Sequence, residues 1–321
     1  MTSLAPLIAI VGPTASGKSA LGAWLAGRLG GEVVACDSTQ VYRHFDIGTA
    51  KPSPDERRGI PHHMLDLLAP EEVFTAGQYR RRAEAVLEDL RARGRLPVLT
   101  VGTGLYLRAL VEGLADAPTR SEELRARLDA RADERGPEHL HRILARLDPA
   151  AAKKIAPRDL PKLVRAIEIC LLAGRPVSEV YGSGRPRLAG FAPIKLGLMP
   201  PRAELYLRIE RRVQAMLERG WLAEVRALIA RGVPATAKPF QFIGYSELRA
   251  HLEGRMGLAE AIQAIQQATR RYAKRQITWF RKEPGVEWLA GFGDDPAIAA
   301  AALAYLEKHL AAPRAAGGKV V

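Results

Sequence analysis

The sequence predicts an α/β fold, a parallel sheet with helices on both faces, interrupted by an all-helical insertion. Three observations point there. Short apolar runs alternate with amphipathic segments through the first third of the chain. The first run empties into a glycine-rich loop that opens a helix. The alternation stops near Gly113, gives way to a long stretch of helical pattern, and then resumes.

The elements follow in order. Leu7–Val11, Glu32–Cys36 and Leu96–Val101 ("LPVLTV") are unbroken apolar runs, as strands covered on both faces require. Helical periodicity fills Ser19–Leu29 and Phe74–Arg93 between them. From Ser121 to about Ala173 the pattern is wholly helical and basic, broken by "ERGPEH", "LDPAAA" and "APRDLPK". A Gly/Pro/Arg linker follows, "AGRPVSEVYGSGRPRLAG", and "APIKLGLMP" reads as a strand returning to the sheet. The insertion is therefore placed at 115–190, with the core formed by 1–114 and 191–321. Helices are expected over Arg202–Arg219, Leu222–Arg231 and Leu258–Lys282, with "VEWLAG" as a final edge strand and Pro296–Ala311 as a closing helix. The tail "PRAAGGKVV" reads as disordered.

Composition narrows the function classes. The chain has 321 residues, 47% hydrophobic and 26% charged, enough for a sizeable core. No apolar run approaches the ~18 residues that span a bilayer. The start "MTSLAPLIAIVG" carries no basic region before its apolar run, unlike a signal peptide. Cys36 and Cys170 sit in apolar segments without motif spacing, which suits buried thiols in a reducing compartment and predicts a cytoplasmic protein. Charge is the unusual feature: 48 Lys+Arg against 35 Asp+Glu gives +13. Such a balance serves solubility or a polyanionic partner, whose neutralised phosphates release counterions and supply affinity.

Chemistry enters at "GPTASGKS", Gly12–Ser19, which fits G-x-x-x-x-G-K-S with a strand before it and a helix after it, a P-loop NTPase-like arrangement. Backbone N–H groups of Gly12, Pro13, Thr14, Ala15, Ser16 and Gly17 (proline excepted) form an anion nest, and the helix dipole adds positive potential. Lys18 reaches the outer phosphate, and the Ser19 hydroxyl is placed to ligate Mg2+. The loop is silent on whether phosphorus or carbon is attacked. Asp37 stands just past the second strand, on the edge where open α/β sheets bind ligands. There it serves either as a turn or helix-cap aspartate or as a proton acceptor. Ser38, Thr39 and Gln40 add hydrogen-bonding groups, and a glutamine amide can read an adenine edge.

"GPTASGKS", "DSTQVYR", "DIGTAKP", "PHHMLD", "VGTGLYLRAL", "IGYSEL" and "YAKRQITWFR" occur in this order. Together they resemble the bacterial tRNA dimethylallyltransferases, also called tRNA isopentenyltransferases, from about Ile8 to Trp288. The resemblance implies that the loop holds the diphosphate of dimethylallyl diphosphate as a leaving group, with Mg2+ on Ser19. It implies Asp37 as general base toward N6 of the adenosine 3′ to the anticodon, flipped out of the tRNA anticodon stem-loop. It places Ser38, Thr39, Gln40, Thr103 and Gln241 at the tRNA, with Arg125, Lys162 and Arg165 of the insertion. It puts Arg208, in "LYLRIERR", near the diphosphate. A monomer is expected, because tRNA would have to enter between the two domains, and no membrane attachment is expected from runs of this length.

Departures are few. The family's Gly-Gly-Thr is Val101-Gly102-Thr103 here, its Asp-Pro is Asp159-Leu160-Pro161, and Ser19 replaces the commoner threonine. "RRYAKRQITWFRK", Arg270–Lys282, carries six Lys/Arg and no acid. As a helix it would bury Ile277, Trp279 and Phe280 and turn its basic residues outward, to solvent or nucleic acid. His62 and His63 lack metal-ligand spacing, and one of them is read as structural or close to the diphosphate. Two rivals share the loop: a small-molecule or nucleotide kinase, which would need a short arginine lid, and a non-catalytic RNA-binding module, which would not need Asp37.

Overall fold

The computed structural model describes residues 4–182, 184 and 186–311. The expected tail lies outside these residues, as do Ser183 and Arg185 of the expected linker. The chain divides into two units: one runs to Val111 and resumes at Leu188, and the other is Glu112–Arg187. These boundaries fall three residues earlier on each side than the sequence suggested.

The first unit is built on six parallel strands: β1 (Ala5–Val11), β2 (Gly31–Cys36), β3 (His62–His63), β4 (Leu96–Val101), β5 (Phe191–Leu198) and β6 (Val286–Leu289). Their order is β3-β2-β4-β1-β5-β6. β1 lies centrally, pairing Ile8 with Val98 on one side and Ile194 on the other. Its five residues from Leu7 to Val11 are fully buried because both faces are covered. Leu7, Ala9 and Val11 face one core and Ile8 and Ile10 the other, the two-residue alternation of a pleated strand. β6 is an edge strand as expected. The two-residue β3 at the opposite edge was not anticipated, since so short a strand carries no periodicity.

Four helices precede the insertion: α1 (Lys18–Leu29), α2 (Pro54–Arg57), α3 (Ala76–Ala92) and α4 (Gly104–Val111). α1 buries Leu21, Leu25 and Ala26 against one sheet face. α3 opens on a capping box, Thr75 with Gln78, and buries Tyr79, Ala83, Leu87 and Leu90 on the other face.

Every regular element among the described residues of the second unit is a helix: α5 (Glu122–Arg135), α6 (Pro137–Leu147), α7 (Pro149–Ala152), α8 (Leu160–Ala173) and α9 (Val177–Gly182). Leu128, Leu140, Leu144, Leu163, Ile167 and Val180 form its core. α9 falls inside the stretch expected to be linker. Asp148, 1% exposed, holds it: one carboxylate oxygen accepts from Ala151 N at 2.9 Å and the other from Ser178 N at 2.7 Å.

The first unit closes with α10 (Arg202–Glu218), α11 (Trp221–Ala230), α12 (Tyr245–Leu252), α13 (Leu258–Phe280) and α14 (Pro296–Ala311). α14 covers the same sheet face as α1 through Ala299, Ala302 and Leu306. α10 to α12 clamp the loop after β2: Val41, Tyr42 and Phe45 pack with Val213, Trp221, Val225 and Tyr245. Along α13 the buried face is Ala261, Ile265, Ala273, Gln276 and Phe280. Phe280 is therefore interior as expected, whereas Ile277 and Trp279 are only partly buried. A glutamine takes a core position that an apolar residue would normally hold.

Candidate active site

Three loops leave the C-terminal ends of neighbouring strands together. The phosphate loop follows β1, Asp37 follows β2 and Gly102 follows β4. Gly102 N and Thr103 N both donate to Cys36 O at 3.0 Å, which draws the last two loops against each other.

In the phosphate loop two residues take left-handed backbone. Gly17 caps α1 in the left-handed region at φ 88°, and Ala15 adopts φ 63°. Lys18 Nζ donates to Gly12 O at 2.8 Å and Pro13 O at 2.7 Å, folding back over the loop that it would share with an anion. Its pKa is lowered from 10.5 to about 7, chiefly by burial. Asp37 acts in the opposite direction and Arg212 in the same one, so both sit within electrostatic reach of the ammonium. Ser19 is exposed at the start of α1. Beside it a cavity of ≈ 290 Å³ is lined by Lys51, Arg58, Arg212 and Arg219 among others. Mg2+ fits this donor set only in the manner typical of it, through one hydroxyl and substrate oxygens. No cluster of three acidic, histidine or cysteine ligands exists among the described residues.

Asp37 is held rather than swinging. Its Oδ1 accepts from Thr39 N at 2.8 Å and from Thr39 Oγ1 at 2.7 Å. Its Oδ2 rests against Gly102, where a Cβ would lie 2.0 Å away. Thr103 Oγ1 accepts from Ser38 N at 2.9 Å and donates to Ser38 Oγ at 3.1 Å, bracing the same turn. A carboxylate so fixed has one oxygen engaged and one aimed along the glycine wall, an arrangement suited to accepting a proton.

Other expected residues sit differently. Gln40 Nε2 is already donating to Ala50 O at 3.2 Å and Thr49 O at 3.4 Å, so its amide secures the loop instead of presenting a free edge to a base. That loop is further locked by Lys51, buried and bonded to Asp46 at 2.5 Å and Asp66 at 2.6 Å. Arg208 donates to Asp294 Oδ2 at 2.8 Å and lies over Phe292. One turn further along α10, Arg212 donates to Thr14 Oγ1 at 3.3 Å. Arg212 thus reaches the phosphate loop directly from the helix face it shares with Arg208, which meets the loop's neighbour Asp294. Gln241 is exposed and accepts from Lys238 Nζ at 2.9 Å. His63 is not close to the phosphate loop. Its Nε2 pairs with Glu32 Oε2 at 2.7 Å near the start of β2, where Arg93 grips the same carboxylate, and His62 bonds Ile60 O.

In the insertion, Arg125 and Arg165 are not free cations. Both grip Glu168, whose side chain is fully buried, so much of their charge is committed to the fold. Lys162 is exposed and pairs with Asp159.

Two parts of the site were missed by sequence reasoning: Arg212 and Gln276. Gln276 Oε1 accepts from Thr14 N at 2.7 Å and its Nε2 donates to Gly102 O at 2.8 Å. The only sequence signal for it was a polar residue on the apolar face of α13. The chain's far end also reaches the phosphate loop. Gly293 N donates to Ser16 O at 2.9 Å, and Asp294 occupies the space where a Gly17 side chain would stand. On the outer face of α13, Trp279 and the basic Arg108, Lys274, Arg275 and Lys282 line a cavity of ≈ 390 Å³. Basic groups beside an aromatic ring suit a nucleic acid.

Fold and site together define a P-loop NTPase-like enzyme with a carboxylate fixed next to its phosphate grip. Residues 40–283 match the family model described as IPP transferase. Tested against curated proteins, the chain is 52% identical over 95% of its length to the tRNA dimethylallyltransferase of Solibacter usitatus, covering 99% of that protein. The Koribacter versatilis enzyme of the same name is also 52% identical, over 92% of this chain and 96% of its own. Among solved structures, the full-length tRNA isopentenylpyrophosphate transferase of Bacillus halodurans superposes with a TM-score of 0.71 at 36% identity, covering 95% of this chain and 96% of that one. A eukaryotic dimethylallyltransferase described as acting on tRNA reaches 0.80 at 27% identity, covering 97% of this chain and 81% of its own. The chain belongs to the IPP transferase family, the prenyl transferases that modify tRNA. Among the described residues, no helix is long and apolar enough to cross a membrane.

Proposed function

We propose that this chain transfers the dimethylallyl group of dimethylallyl diphosphate to N6 of the adenosine 3′ to the anticodon, releasing diphosphate. The observation that carries the reading is Asp37, held by Thr39 and Gly102 within electrostatic reach of Lys18. A kinase would use the same loop, but this family assignment and a basic helical insertion instead of a short lid favour RNA as acceptor.

The amides of residues 12–17, excluding proline, and Lys18 hold the diphosphate, with Arg212 closing over Thr14 and Arg208 at the outer rim. As the allylic C–O bond breaks, its electron pair passes to the diphosphate oxygen, where fixed positive charge stabilises it. The adenine N6 lone pair forms the new bond to that carbon, and Asp37 takes the proton that N6 loses. The Ser19 hydroxyl would hold Mg2+, which when bound would add charge neutralisation of the leaving group. The target base must leave its stack to reach this carbon. Ser38, Thr39 and Thr103 would meet that base beside Asp37, Gln40 would act by holding the loop rather than by reading the base, and Gln241, Lys162 and the partly exposed Arg125 and Arg165 would contact tRNA from outside this centre. The protein acts as a monomer in the cytoplasm.

The test is incubation with unmodified tRNA, dimethylallyl diphosphate and Mg2+ without ATP, followed by mass spectrometry of the tRNA nucleosides. Prenylated adenosine is expected. Strict dependence on ATP, with phosphate release, would overturn the reading in favour of a kinase.

A further inference from the structure

Gln276 is the side chain that touches both halves of the site. It is buried, 6% exposed, on the inner face of α13. Its acceptor end meets a phosphate-loop N–H, Thr14 N, and its donor end meets Gly102 O. A carboxamide has one acceptor oxygen and two N–H donors, so an N–H on one side and a carbonyl on the other fix its orientation. Tyr272, one turn earlier on α13, donates its hydroxyl to the same Gly102 O at 3.2 Å. Gly102 in turn forms the wall against which Asp37 Oδ2 rests.

We propose that Gln276 is a positioning residue that sets the distance between the diphosphate grip and the general base. It acts through Thr14 on one side and through Gly102 on the other. The inference rests on the transferase reading above and adds a role for a residue that touches neither substrate. Its physical basis is that attack on carbon requires both reactants in near-contact geometry, and a misplacement of about 1 Å costs on the order of 10²-fold in rate. Loop and wall belong to different strands, and each could shift on its own. A single buried amide, bonded at both ends, makes them move together.

Two variants test it. Gln276→Leu keeps approximate volume and loses both bonds. It should lower kcat by about 10- to 100-fold while leaving KM for donor and for tRNA within about threefold. Gln276→Glu keeps shape and the bond from Thr14 N, but must be protonated to donate to Gly102 O. An ionised carboxylate there would face that carbonyl in a buried site, which raises its pKa. The titratable and charged groups around it are Tyr272 and Arg275 on α13, Lys18 and Arg212 at the phosphate loop, and Asp37 beyond Gly102. The ratio of Gln276→Glu kcat to the parent's should therefore rise as pH falls through the neutral range. Thermal unfolding of both variants guards against loss of fold.

A readout without turnover completes the test. Inorganic diphosphate should slow amide exchange at Gly102–Thr103 in the parent and leave it unchanged in Gln276→Leu. A pH profile of Gln276→Glu parallel to the parent's, or equal slowing of exchange in both proteins, overturns the proposal. A parent that transfers no prenyl group overturns the transferase reading instead, and the exchange experiment still decides the coupling.

Discussion

Removing the Arg125 guanidinium tests whether this arginine serves the fold or only the RNA. Glu168 is fully buried and receives four hydrogen bonds: Ser121 N at 2.8 Å and Arg125 Nε at 2.9 Å on Oε1, Arg125 Nη2 at 2.9 Å and Arg165 Nη1 at 2.6 Å on Oε2. Burial by itself would push the Glu168 carboxyl up. The bonds from Arg125, Arg165 and Ser121 N outweigh it and hold the group below its ordinary value. Arg125→Ala deletes two charge-assisted bonds and leaves the carboxylate with one cation. With Arg165 and Ser121 N still bonded to the carboxylate, losing two such bonds costs about 3 kcal/mol. A fall in Tm of at least several degrees is expected. The assay is thermal and urea unfolding by circular dichroism. Because the carboxyl titrates below its unfolded value, the contribution is present above the unfolded pKa and is lost as pH falls through the folded one. Arg125→Met combined with Glu168→Leu should recover most of the stability, since apolar groups of similar volume replace such a pair at little cost. In that background, a salt slope for tRNA binding reduced by about one would show that Arg125 also meets a phosphate. Unfolding of Arg125→Ala within about 1 kcal/mol of the parent would refute the structural role.

Three further outcomes are expected. Asp37→Asn retains an oxygen to accept from Thr39 but cannot take a proton, so kcat should fall by ~10²–10⁴-fold with affinity for dimethylallyl diphosphate nearly unchanged; turnover within a few-fold of the parent at saturation would sink the base assignment. Gly102→Ala places a methyl 2.0 Å from Asp37 Oδ2 and must displace the carboxyl, and a kcat loss of about 10²-fold with circular dichroism preserved is the expected result; parental kcat would show that the wall is soft. Lys18 titrates near 7 in the folded protein and at its ordinary value when unfolded. The folded state thus binds fewer protons between those values, and ligand-free stability rises with pH across that window. Lys18→Met should abolish this rise and be more stable than the parent at neutral pH, while identical urea midpoints across the series would contradict the buried ammonium.

The strands that place the site were readable because they are continuous apolar runs, and the phosphate loop because its geometry needs particular residues at fixed spacing. β3 was not readable, having two residues and no period. α4 and α12 were hidden inside stretches quoted for their motifs, where short helices begin directly after Thr103 and Gly244. Arg208 and Arg212 stand four apart on one helix face, so spacing alone could not say which meets the loop. Arg125 and Arg165 read as free charge because their partner, Glu168, lies distant in sequence from Arg125 and looks like any helix surface residue. Gly102 acts through the side chain it lacks, a role that shows only once Asp37 is in place beside it.

The contacts of Thr14 with Gln276 and of Ser16 with Gly293 join the beginning of the chain to its end. During synthesis the phosphate loop emerges well before its supports, Thr14 preceding Gln276 by 262 residues. β1 likewise waits for β5, its partner on one side, before its edge is closed. A nascent chain therefore carries the full signature of the loop for most of its translation without a braced anion site. The fold thus withholds two braces of that loop, at Thr14 and at Ser16, until Gln276 and Gly293 have been made.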